Sequence, residues 1–461
     1  MTTTAKSDTF PPQIKYIVGN EACERFSFYG MRAILTVFMV NHLMMPKHEA
    51  TAAYHLFVSA CYFTPLIGAY IADRYWGKYK TIMTLSIVYC VGHGVLALFP
   101  GSKTGLYWGL GLIALGSGGI KPCVSTHVGD QFTDKNKHLI QKIYDIFYFA
   151  INFGSFFSTL LIPKMLVWYG PEAAFGLPGI LMAIATVVFW KGHPQYVNVP
   201  PTGKTGKPGF LAILWAAATG KRKPGGDFFS AAASKYSAED VEGARAVLDV
   251  CKVFATVTVF WALFDQHGSS WVLQAEQMNL DVFGVKWEAS QISALNPIMV
   301  MALIPLFAAW GYPAIEKAFK TTMTPLRRMS LGMVIAATSF AGAALIQHAI
   351  DGGGKPSVAW QFIPYLLITI AEIMISITGL EFAYTQAPRA MKSTIMSFFF
   401  LTIFFGNVLT AYVSAINKFQ GASFYWFFAI LMAAVSGIFI WTASRYKVRE
   451  YIEDGSAPVG H

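Results

Sequence analysis

Long apolar runs separated by shorter polar segments make up most of this chain. A helix needs about 20 apolar residues to cross a lipid bilayer. By this measure twelve runs follow one another, at residues 14–41, 52–72, 80–99, 106–128, 143–166, 173–190, 250–274, 289–311, 326–348, 358–384, 393–416 and 422–443. The pattern predicts an all-α membrane protein of twelve transmembrane helices in two six-helix bundles, at residues 1–191 and 250–461.

The longest polar segment, residues 192–249, lies between the sixth and seventh runs. Its beginning is rich in Pro, Gly and Lys, and its end has helical character. Within it, residues 209–219 form an apolar run of about ten residues between Lys207 and Lys221, which is too short to cross a bilayer. We expect a cytoplasmic linker between the bundles that carries one interfacial helix.

Composition agrees with a membrane protein, because 54% of the 461 residues are hydrophobic and only 13% are charged. A soluble domain has about 25% charged residues. The net charge of +10 does not indicate a nucleic-acid partner, since most Lys and Arg residues lie in the termini and in the even-to-odd loops. This asymmetry is the positive-inside pattern. It predicts a multi-pass protein of the cell membrane (inner or plasma membrane) with both termini in the cytoplasm.

The sequence contains no Gly-rich nucleotide-binding loop and no His/Glu zinc helix. The five cysteines lack metal-like or redox spacing and are interpreted as packing residues: Cys23, Cys61, Cys90, Cys123 and Cys251. We therefore expect no cofactor, no metal site and no enzymatic activity. A channel needs a continuous polar pore, whereas the intramembrane charges here lie at one level, which favours a transporter with a single alternately accessed site.

The first run carries ionisable residues that a spanning segment rarely tolerates. Glu21, Glu24, Arg25, Tyr29 and Arg32 fall on one face of a helix. A charge near the bilayer centre costs at least ~2.5–3.5 kcal/mol and usually faces a water-filled path or a partner in the bundle. This face predicts a polar pathway inside the protein.

The fourth run places a further cation near that pathway. Lys121 follows three glycines in the stretch 116–122 and precedes Pro122. The glycines allow another helix to approach closely, and a buried lysine needs a carboxylate partner to keep its charge. Glu21 and Glu24 are candidate partners, and such a pair has two interpretations: a proton-exchange site or a structural link between two helices.

The second half of the chain contributes carboxylates instead. Glu372 lies within the tenth run and Asp265 at the end of the seventh. A cavity between the halves would be basic on the wall of Arg25 and Lys121 and acidic on the wall of Glu372, as a zwitterion requires. Other polar and aromatic residues that we expect at this cavity are Asn152, Asn296, Tyr29, Tyr62, Tyr148 and Trp261; the two asparagines have interhelical hydrogen bonding as an alternative role.

Five sequence patterns point to one family. They are Glu-x-x-Glu-Arg-Phe with a following Tyr-Gly at 21–30, the loop Gly-Ala-Tyr-Ile-Ala-Asp-Arg-Tyr-Trp-Gly-Lys at 68–78, Gly-Gly-Ile-Lys-Pro at 118–122, Phe-Tyr with Ile-Asn-x-Gly at 147–154, and Gly-Leu-Glu-Phe-Ala-Tyr at 379–384 before Ala387 and Pro388. Together they resemble the proton-coupled oligopeptide transporters of the major facilitator superfamily. The resemblance extends over nearly the whole chain.

The resemblance implies the major facilitator fold and a symporter that imports di- and tripeptides together with protons. It implies substrate-binding roles for Arg25, Tyr29, Lys121, Asn152, Asn296 and Glu372. Glu21, Glu24, Arg25 and Lys121 match the family's proton-coupling set, and Arg32 with Asp265 matches a pair that closes the outer gate. The family also contains carriers of nitrate and other small solutes, which is the alternative function; Glu372 argues against it, because a carboxylate repels an anion.

Two features are similar to the animal members of that family. The chain lacks the two extra helices that bacterial relatives commonly have between the halves, and it carries His55 where animal members have a proton-linked histidine. An unperturbed histidine has a pKa of ~6.5, so it can respond to an acidic exterior. The alternative role for His55 is a helix-packing hydrogen bond. Phe28 and Phe399 depart from the family pattern, in which tyrosine and tryptophan are frequent, so the shape of the pocket is expected to differ.

Overall fold

The structure is a computed structural model that describes residues 9–133, 135–201, 209–221, 227–386 and 391–448. Both chain ends, which we predicted to be cytoplasmic, lie partly outside these ranges. Lys207 and the Ala387-Pro388 motif lie wholly outside them.

Helices dominate the described residues. The α-helices are α1 (Ile14–Asn41), α2 (Lys47–Ile71), α3 (Lys78–Leu98), α4 (Lys103–Asp130), α5 (Ile140–Gly192), α6 (Phe210–Thr219), α7 (Ala238–Phe264), α8 (Ser270–Ala275), α9 (Leu295–Leu306), α10 (Tyr312–Phe319), α11 (Pro325–Asp351), α12 (Phe362–Glu372), α13 (Thr378–Thr385), α14 (Lys392–Ile416) and α15 (Ala422–Arg445). A two-stranded antiparallel hairpin, β1 (Asp281–Val282) and β2 (Val285–Lys286), is the one sheet in the described ranges.

The helices agree with the twelve predicted runs. Within the described residues, nine helical stretches are long and apolar enough to cross a membrane. One of them, α5, is two helices joined at Gly170, whose φ of 81° and ψ of 178° are not helical. Helices α1 and α4 have 28 residues each, long enough to span, but contain the predicted intramembrane charges. Counting α5 twice, these stretches are consistent with twelve spans.

The predicted seventh, eighth and tenth spans are each built from several pieces rather than one regular helix. The seventh combines α7, a 3-10 helix at Asp265–Gly268 and α8. The eighth combines a short 3-10 helix, α9, a π-helical turn at Phe307–Gly311 and α10. The tenth combines α12, a π-helical turn at Ile373–Ile377 and α13. The second π turn begins one residue after Glu372, and π turns are common beside functional residues because they locally change the direction of side chains.

Buried apolar side chains form two separate clusters, one for each half of the chain. The first contains residues between Ile14 and Tyr196, and the second contains residues between Phe210 and Phe439. In the first half α1 packs on α5 and α3 on α4, while in the second α11 packs on α15. Helices α2 and α14 pack across the halves, where the rings of Tyr62 and Phe400 stack with centroids 6.4 Å apart.

The linker contains the predicted short helix. Phe210, Ile213 and Ala217 of α6 are buried in the second cluster, whereas Leu211 and Trp215 are each 72% exposed. Helix α7 begins at Ala238, twelve residues before the predicted run at 250, because residues 238–249 are helical although polar. Ser237 starts it: the Oγ atom accepts a hydrogen bond from the backbone N–H of Asp240 at 3.1 Å.

Candidate functional site

A cavity of about 240 Å³ lies between the two halves. Eight of the predicted site residues line it: Tyr29, Arg32, Tyr62, Asn152, Trp261, Asp265, Asn296 and Glu372. We call the side of the bundle where α1 ends, near Asn41, the first-loop side, and the side where α1 begins, near Ile14, the terminal side. Residues from both halves therefore line one cavity.

A buried ion cluster on α1 lies next to this cavity. The Arg25 Nε atom is 2.6 Å from Glu21 Oε1 and 2.9 Å from Glu24 Oε2. All three residues are buried, and Ser117 of α4 donates a hydrogen bond to Glu24 Oε1 at 3.2 Å. One guanidinium thus faces two carboxylates on consecutive helical turns, and in the described part of the chain no hydrogen bond uses its terminal nitrogens.

Lys121 does not pair with the acids in this conformation. Among the described residues, no carboxylate oxygen lies within 4.0 Å of its ammonium group. The Nζ atom instead lies 4.5 Å from the ring centroid of Tyr62 and 4.9 Å from that of Phe28. Cation–π contacts of this kind stabilise a cation in an apolar setting. The predicted pairing of Lys121 with Glu21 or Glu24 is therefore absent here, because Arg25 already occupies both carboxylates.

The glycines before Lys121 act as expected. A Cβ atom at Gly118 would overlap the hydroxyl of Thr64 on α2, and one at Gly119 would meet the Leu85 side chain. Likewise, a Cβ atom at Gly68 of α2 would overlap the backbone of Gly119. Only glycine permits this close approach of α2 and α4, and it brings Lys121 next to Tyr62.

The wall from the second half centres on Glu372. Asn296 of α9 donates a hydrogen bond to Glu372 Oε2 at 2.8 Å and another to Thr369 Oγ1 at 3.2 Å. No Lys, Arg or His nitrogen lies within 4.0 Å of Glu372 in the described part of the chain. The carboxylate is therefore held by a neutral amide and has no cationic partner.

Aromatic rings form the apolar walls of the cavity. Tyr29, Tyr62, Trp261 and Phe399 line it, and Phe399 packs edge-on against Trp261 at 6.1 Å. The Trp261 Nε1 atom is buried and has no hydrogen-bond partner among the described residues, so it is an available donor beside the cavity. Phe28 lies behind this wall, 5.5 Å from the ring of Tyr29.

Three predicted substrate-binding residues do not line the cavity in this conformation: Arg25, Lys121 and Tyr148. Arg25 and Lys121 stand beside it, behind Tyr29 and Tyr62. Tyr148 is 43% exposed, and its carbonyl oxygen accepts a hydrogen bond from the Asn152 side chain at 2.9 Å. Asn152 lines the cavity from α5, although this bond also satisfies part of its amide within its own helix.

The predicted gate pair is formed on the first-loop side of the cavity. Arg32 Nη2 is 2.5 Å from Asp265 Oδ1, and Arg32 Nε donates a hydrogen bond to the Tyr54 hydroxyl at 2.6 Å. Asn407 of α14 donates to the second oxygen, Asp265 Oδ2, at 2.8 Å. The pair joins α1 to the end of α7 and is buried.

His55 is connected to this gate rather than to the ion cluster of α1. Its Nδ1 atom lies 2.7 Å from Asn407 Oδ1 and its Nε2 atom 2.8 Å from Ser269 Oγ. Both contacts cross between the halves, and Asn407 also holds Asp265. His55 therefore packs two helices together, as its alternative role suggested, and does so through a residue that contacts the gate.

Further hydrogen bonds join the halves on the first-loop side. Thr36 donates to the Gly268 carbonyl at 3.2 Å, and Asn41 donates to Glu276 Oε1 at 2.8 Å. Burial raises the pKa of the Glu276 carboxyl, while the hydrogen bond from Asn41 opposes this shift. Gly268 has no space for a Cβ atom because the Tyr54 hydroxyl lies against it.

The sequence analysis missed Tyr54, Ser269 and Asn407. Asn407 has the clearest signal, since it is an isolated amide within an apolar run, and such residues usually need a partner in the bundle. For metals, the described residues contain no group of three His, Cys, Asp or Glu side chains that could hold an ion.

Comparisons with known proteins identify the family. A model described as "POT family" matches residues 79–427. Solute carrier family 15 member 2 of Rattus norvegicus is 38% identical over 392 residues, 81% of this chain and 54% of that protein. Peptide transporter 3 of Caenorhabditis elegans is 37% identical over 366 residues, 75% of this chain and 52% of that protein. The chain thus spans about half the length of the curated relatives it matches.

A solved structure confirms the fold. The crystal structure of the POT family transporter PepTSo, determined in meso, superposes with a TM-score of 0.90 and 40% identity, over 95% of this chain and 98% of that chain. The predicted all-α transporter fold and the predicted family are both confirmed. On these matches the chain belongs to the POT family.

Proposed function

We propose that this protein is a proton-coupled symporter that imports di- and tripeptides across the cell membrane by alternating access. The observation that carries the proposal is the state of Glu372, a half-buried carboxylate at a cavity, held by Asn296 at 2.8 Å and without a cation within 4.0 Å in the described residues. An unpaired carboxylate in a low-dielectric site attracts an ammonium group strongly. Two relatives of about 38% identity are named for solute or peptide transport.

The opposite end of the peptide would meet the first half of the chain. Arg25 and Lys121 are the cations beside the cavity, and Lys121 is held only by the rings of Phe28 and Tyr62. A peptide carboxylate can therefore bind Lys121 without displacing a protein carboxylate. Tyr29, Tyr62 and Trp261 would contact the side chains of the peptide, and Asn152 and Asn296 its amide groups. The cavity volume of about 240 Å³ lies just below the ~300–1,000 Å³ that is typical of ligand pockets.

Proton coupling is assigned to the α1 cluster together with Lys121. Protonation of Glu21 or Glu24 would remove one of the two charges that Arg25 balances. The guanidinium would then be free to turn to a substrate carboxylate, and Lys121 could pair with the acid that remains ionised. The protein carboxylates and the substrate carboxylate thus compete for the same two cations. Protonation of a protein carboxylate shifts these cations towards the substrate, so proton binding favours substrate binding.

The outer gate is assigned to Arg32 and Asp265, with His55 acting on it through Asn407. In the orientation that the distribution of Lys and Arg residues predicts, the first-loop side faces the exterior and both termini face the cytoplasm. A proton on His55 would repel Arg32 across Asp265 and alter the hydrogen bond to Asn407. The halves would be residues 1–191 and 250–461, joined by the linker 192–249 with α6 at the cytoplasmic surface.

The proton gradient is sufficient to concentrate a peptide without ATP. One proton that crosses about 100 mV gains ~2.3 kcal/mol, and one pH unit adds ~1.4 kcal/mol. A single coupled proton therefore sustains a peptide gradient of roughly 500-fold.

An uptake assay tests the substrate class. Cells that express the protein should accumulate a labelled dipeptide, more strongly at an acidic exterior. Unlabelled di- and tripeptides should compete, whereas nitrate and free amino acids should not. Competition by nitrate at concentrations where dipeptides have no effect would contradict the proposal, because Glu372 disfavours an anion at this site.

A further inference from the structure

A second ion pair joins the halves at the edge of the first-loop side. The Nζ atom of Lys164, near the end of the first helix of α5, lies 2.9 Å from Glu288 Oε1 and donates to the Lys286 carbonyl at 3.3 Å. Lys286 and Glu288 precede α9, in the second half. The side chains of Lys164 and Glu288 are 25% and 28% exposed. This pair is therefore more exposed to solvent than the Arg32–Asp265 pair.

The same segment is docked by a second, neutral hydrogen bond. Gln291 Nε2 donates to the carbonyl of Leu160 at 2.7 Å, one turn before Lys164. Gln291 and Glu288 also form a capping box, in which the Gln291 side chain accepts from the Glu288 backbone N–H at 2.9 Å and the Glu288 side chain accepts from the Gln291 backbone N–H. The cap that starts the eighth span thus fixes the two side chains that contact α5.

This peripheral latch, formed by Leu160, Lys164, Lys286, Glu288 and Gln291, is spatially distinct from the central gate. A cavity of about 380 Å³ lies beside it and is lined by Val37 and Asn41 of α1, Pro163 of α5, and Glu276 and Glu288. The central gate involves α1, α2, α7 and α14, whereas the latch involves only α5 and the segment before α9. The first-loop side therefore has an ion pair at its edge in addition to the central gate and the hydrogen bonds of Thr36 and Asn41.

We propose that Lys164 and Glu288 form a second gating pair, which closes the first-loop side together with Arg32 and Asp265 and must break before the cavity opens there. The proposal rests on the proposed function only in assuming that this side opens during transport. A partly exposed pair suits such a role, because both charges regain water as they separate and exposed pairs are easily broken. The capping box keeps Glu288 and Gln291 in place for the pair to form again.

Distance measurements between the halves test the latch without any substrate. Spin labels at Val167→Cys on α5 and Ile416→Cys on α14, which are 61% and 51% exposed, report the separation on the first-loop side in lipid nanodiscs. Double electron–electron resonance should show a longer-distance population that rises two- to fivefold in Lys164→Met, the range expected from loss of one exposed ion pair. Variants that carry only one of the two introduced cysteines are labelled in parallel, so that the signal from labelled native cysteines can be subtracted.

A second variant and a control make the test specific. Glu288→Gln removes the charge but keeps an oxygen for the helix cap, so it should give the same increase, and the double variant should give no more than either single one because both remove one interaction. Lys252→Met removes an exposed pair with Asp249 inside α7 (2.9 Å) and should leave the distances as in the parent.

The results separate the latch from the proposed function. If both latch variants keep the parent's distance distribution while the parent takes up dipeptide, the latch is wrong and the proposed function stands. An increase in the variants, in a parent that does not take up dipeptide, would support the latch and contradict the proposed substrate. An equal increase in Lys252→Met would also overturn the latch, because the effect would then not depend on a contact between the halves.

Discussion

The two carboxylate sites beside the cavity of this protein differ in the groups that contact them. On α1, Glu21 and Glu24 share Arg25 at 2.6 and 2.9 Å, within one helix. In the second half, Glu372 has the amide of Asn296 at 2.8 Å and no cation within 4.0 Å in the described residues. The first site contains a cation of its own, whereas the second has none and attracts a positive charge or a proton from outside.

This difference indicates that the two halves have different roles, one in proton coupling and the other in peptide affinity. A cluster that contains its own cation can gain or lose a proton and rearrange its ion pairs without a ligand. An unbalanced carboxylate is costly when buried, and a ligand ammonium group removes that cost. We therefore expect changes in the α1 cluster to affect stability and coupling, and changes around Glu372 to affect peptide affinity.

The largest effect is expected from removal of the shared cation. Arg25→Met leaves two buried carboxylates without a partner, which destabilises the fold by about 3–5 kcal/mol and abolishes uptake. Thermal unfolding of the purified protein measures this loss. The triple variant with Glu21→Gln and Glu24→Gln has no unpaired charge and should recover most of the stability but not the uptake. If Arg25→Met is as stable as the parent, Arg25 does not stabilise the two carboxylates as described.

Removal of a single acid should separate coupling from binding. Glu24→Gln keeps the shape of the side chain and the fold but removes one of the groups that exchange a proton. Uphill uptake should be lost, while exchange of labelled for unlabelled peptide across the membrane continues. Glu276→Gln, a partly buried carboxylate on the first-loop side, serves as a control that should keep uphill uptake. Concentrative uptake retained in Glu24→Gln would rule out that acid as a coupling site.

A smaller effect is expected from the amide that holds Glu372. Asn296→Leu removes the hydrogen bond at 2.8 Å, and hydrogen bonds to charged groups contribute about 1.5–3 kcal/mol. Peptide affinity should fall about tenfold or more, while accumulation at saturating peptide remains, since coupling lies in the other half. Thr369→Val, which removes only the weaker contact at 3.2 Å, should change affinity by less. A loss of accumulation with unchanged affinity would reverse the assigned roles.

Much of the fold followed from the apolar runs, because the length of a run fixes whether a helix can cross the bilayer. The break at Gly170 falls between the fifth and sixth runs, as predicted. The start of α7 at Ala238 was not predicted, since residues 238–249 are helical but polar. The π turn after Glu372 was not predicted either, because it depends on local packing that leaves no periodic signal.

The residues of the site were easier to predict than their contacts. Charge inside an apolar run identified Arg25, Arg32, Asp265 and Glu372, whichever partner each one has. The sequence paired Glu21 and Glu24 with Lys121 of another helix, whereas in the structure both acids contact Arg25 on their own helix. Tyr54, Asn407 and Lys164 were missed since their roles arise only from contacts between helices that are distant in sequence.

Competition by an N-acetylated dipeptide tests the central claim, that Glu372 binds the ammonium group of the substrate, most directly. The acetyl group removes that charge and leaves Glu372 buried without a partner, although its protonation offsets part of the cost. We predict at least ~30-fold weaker competition than by the free dipeptide, equivalent to about 2 kcal/mol, and a smaller difference in Glu372→Gln, where no charge is left unpaired. Equal competition by the free and acetylated dipeptides in the unmutated protein would contradict this role and favour a substrate without an ammonium group.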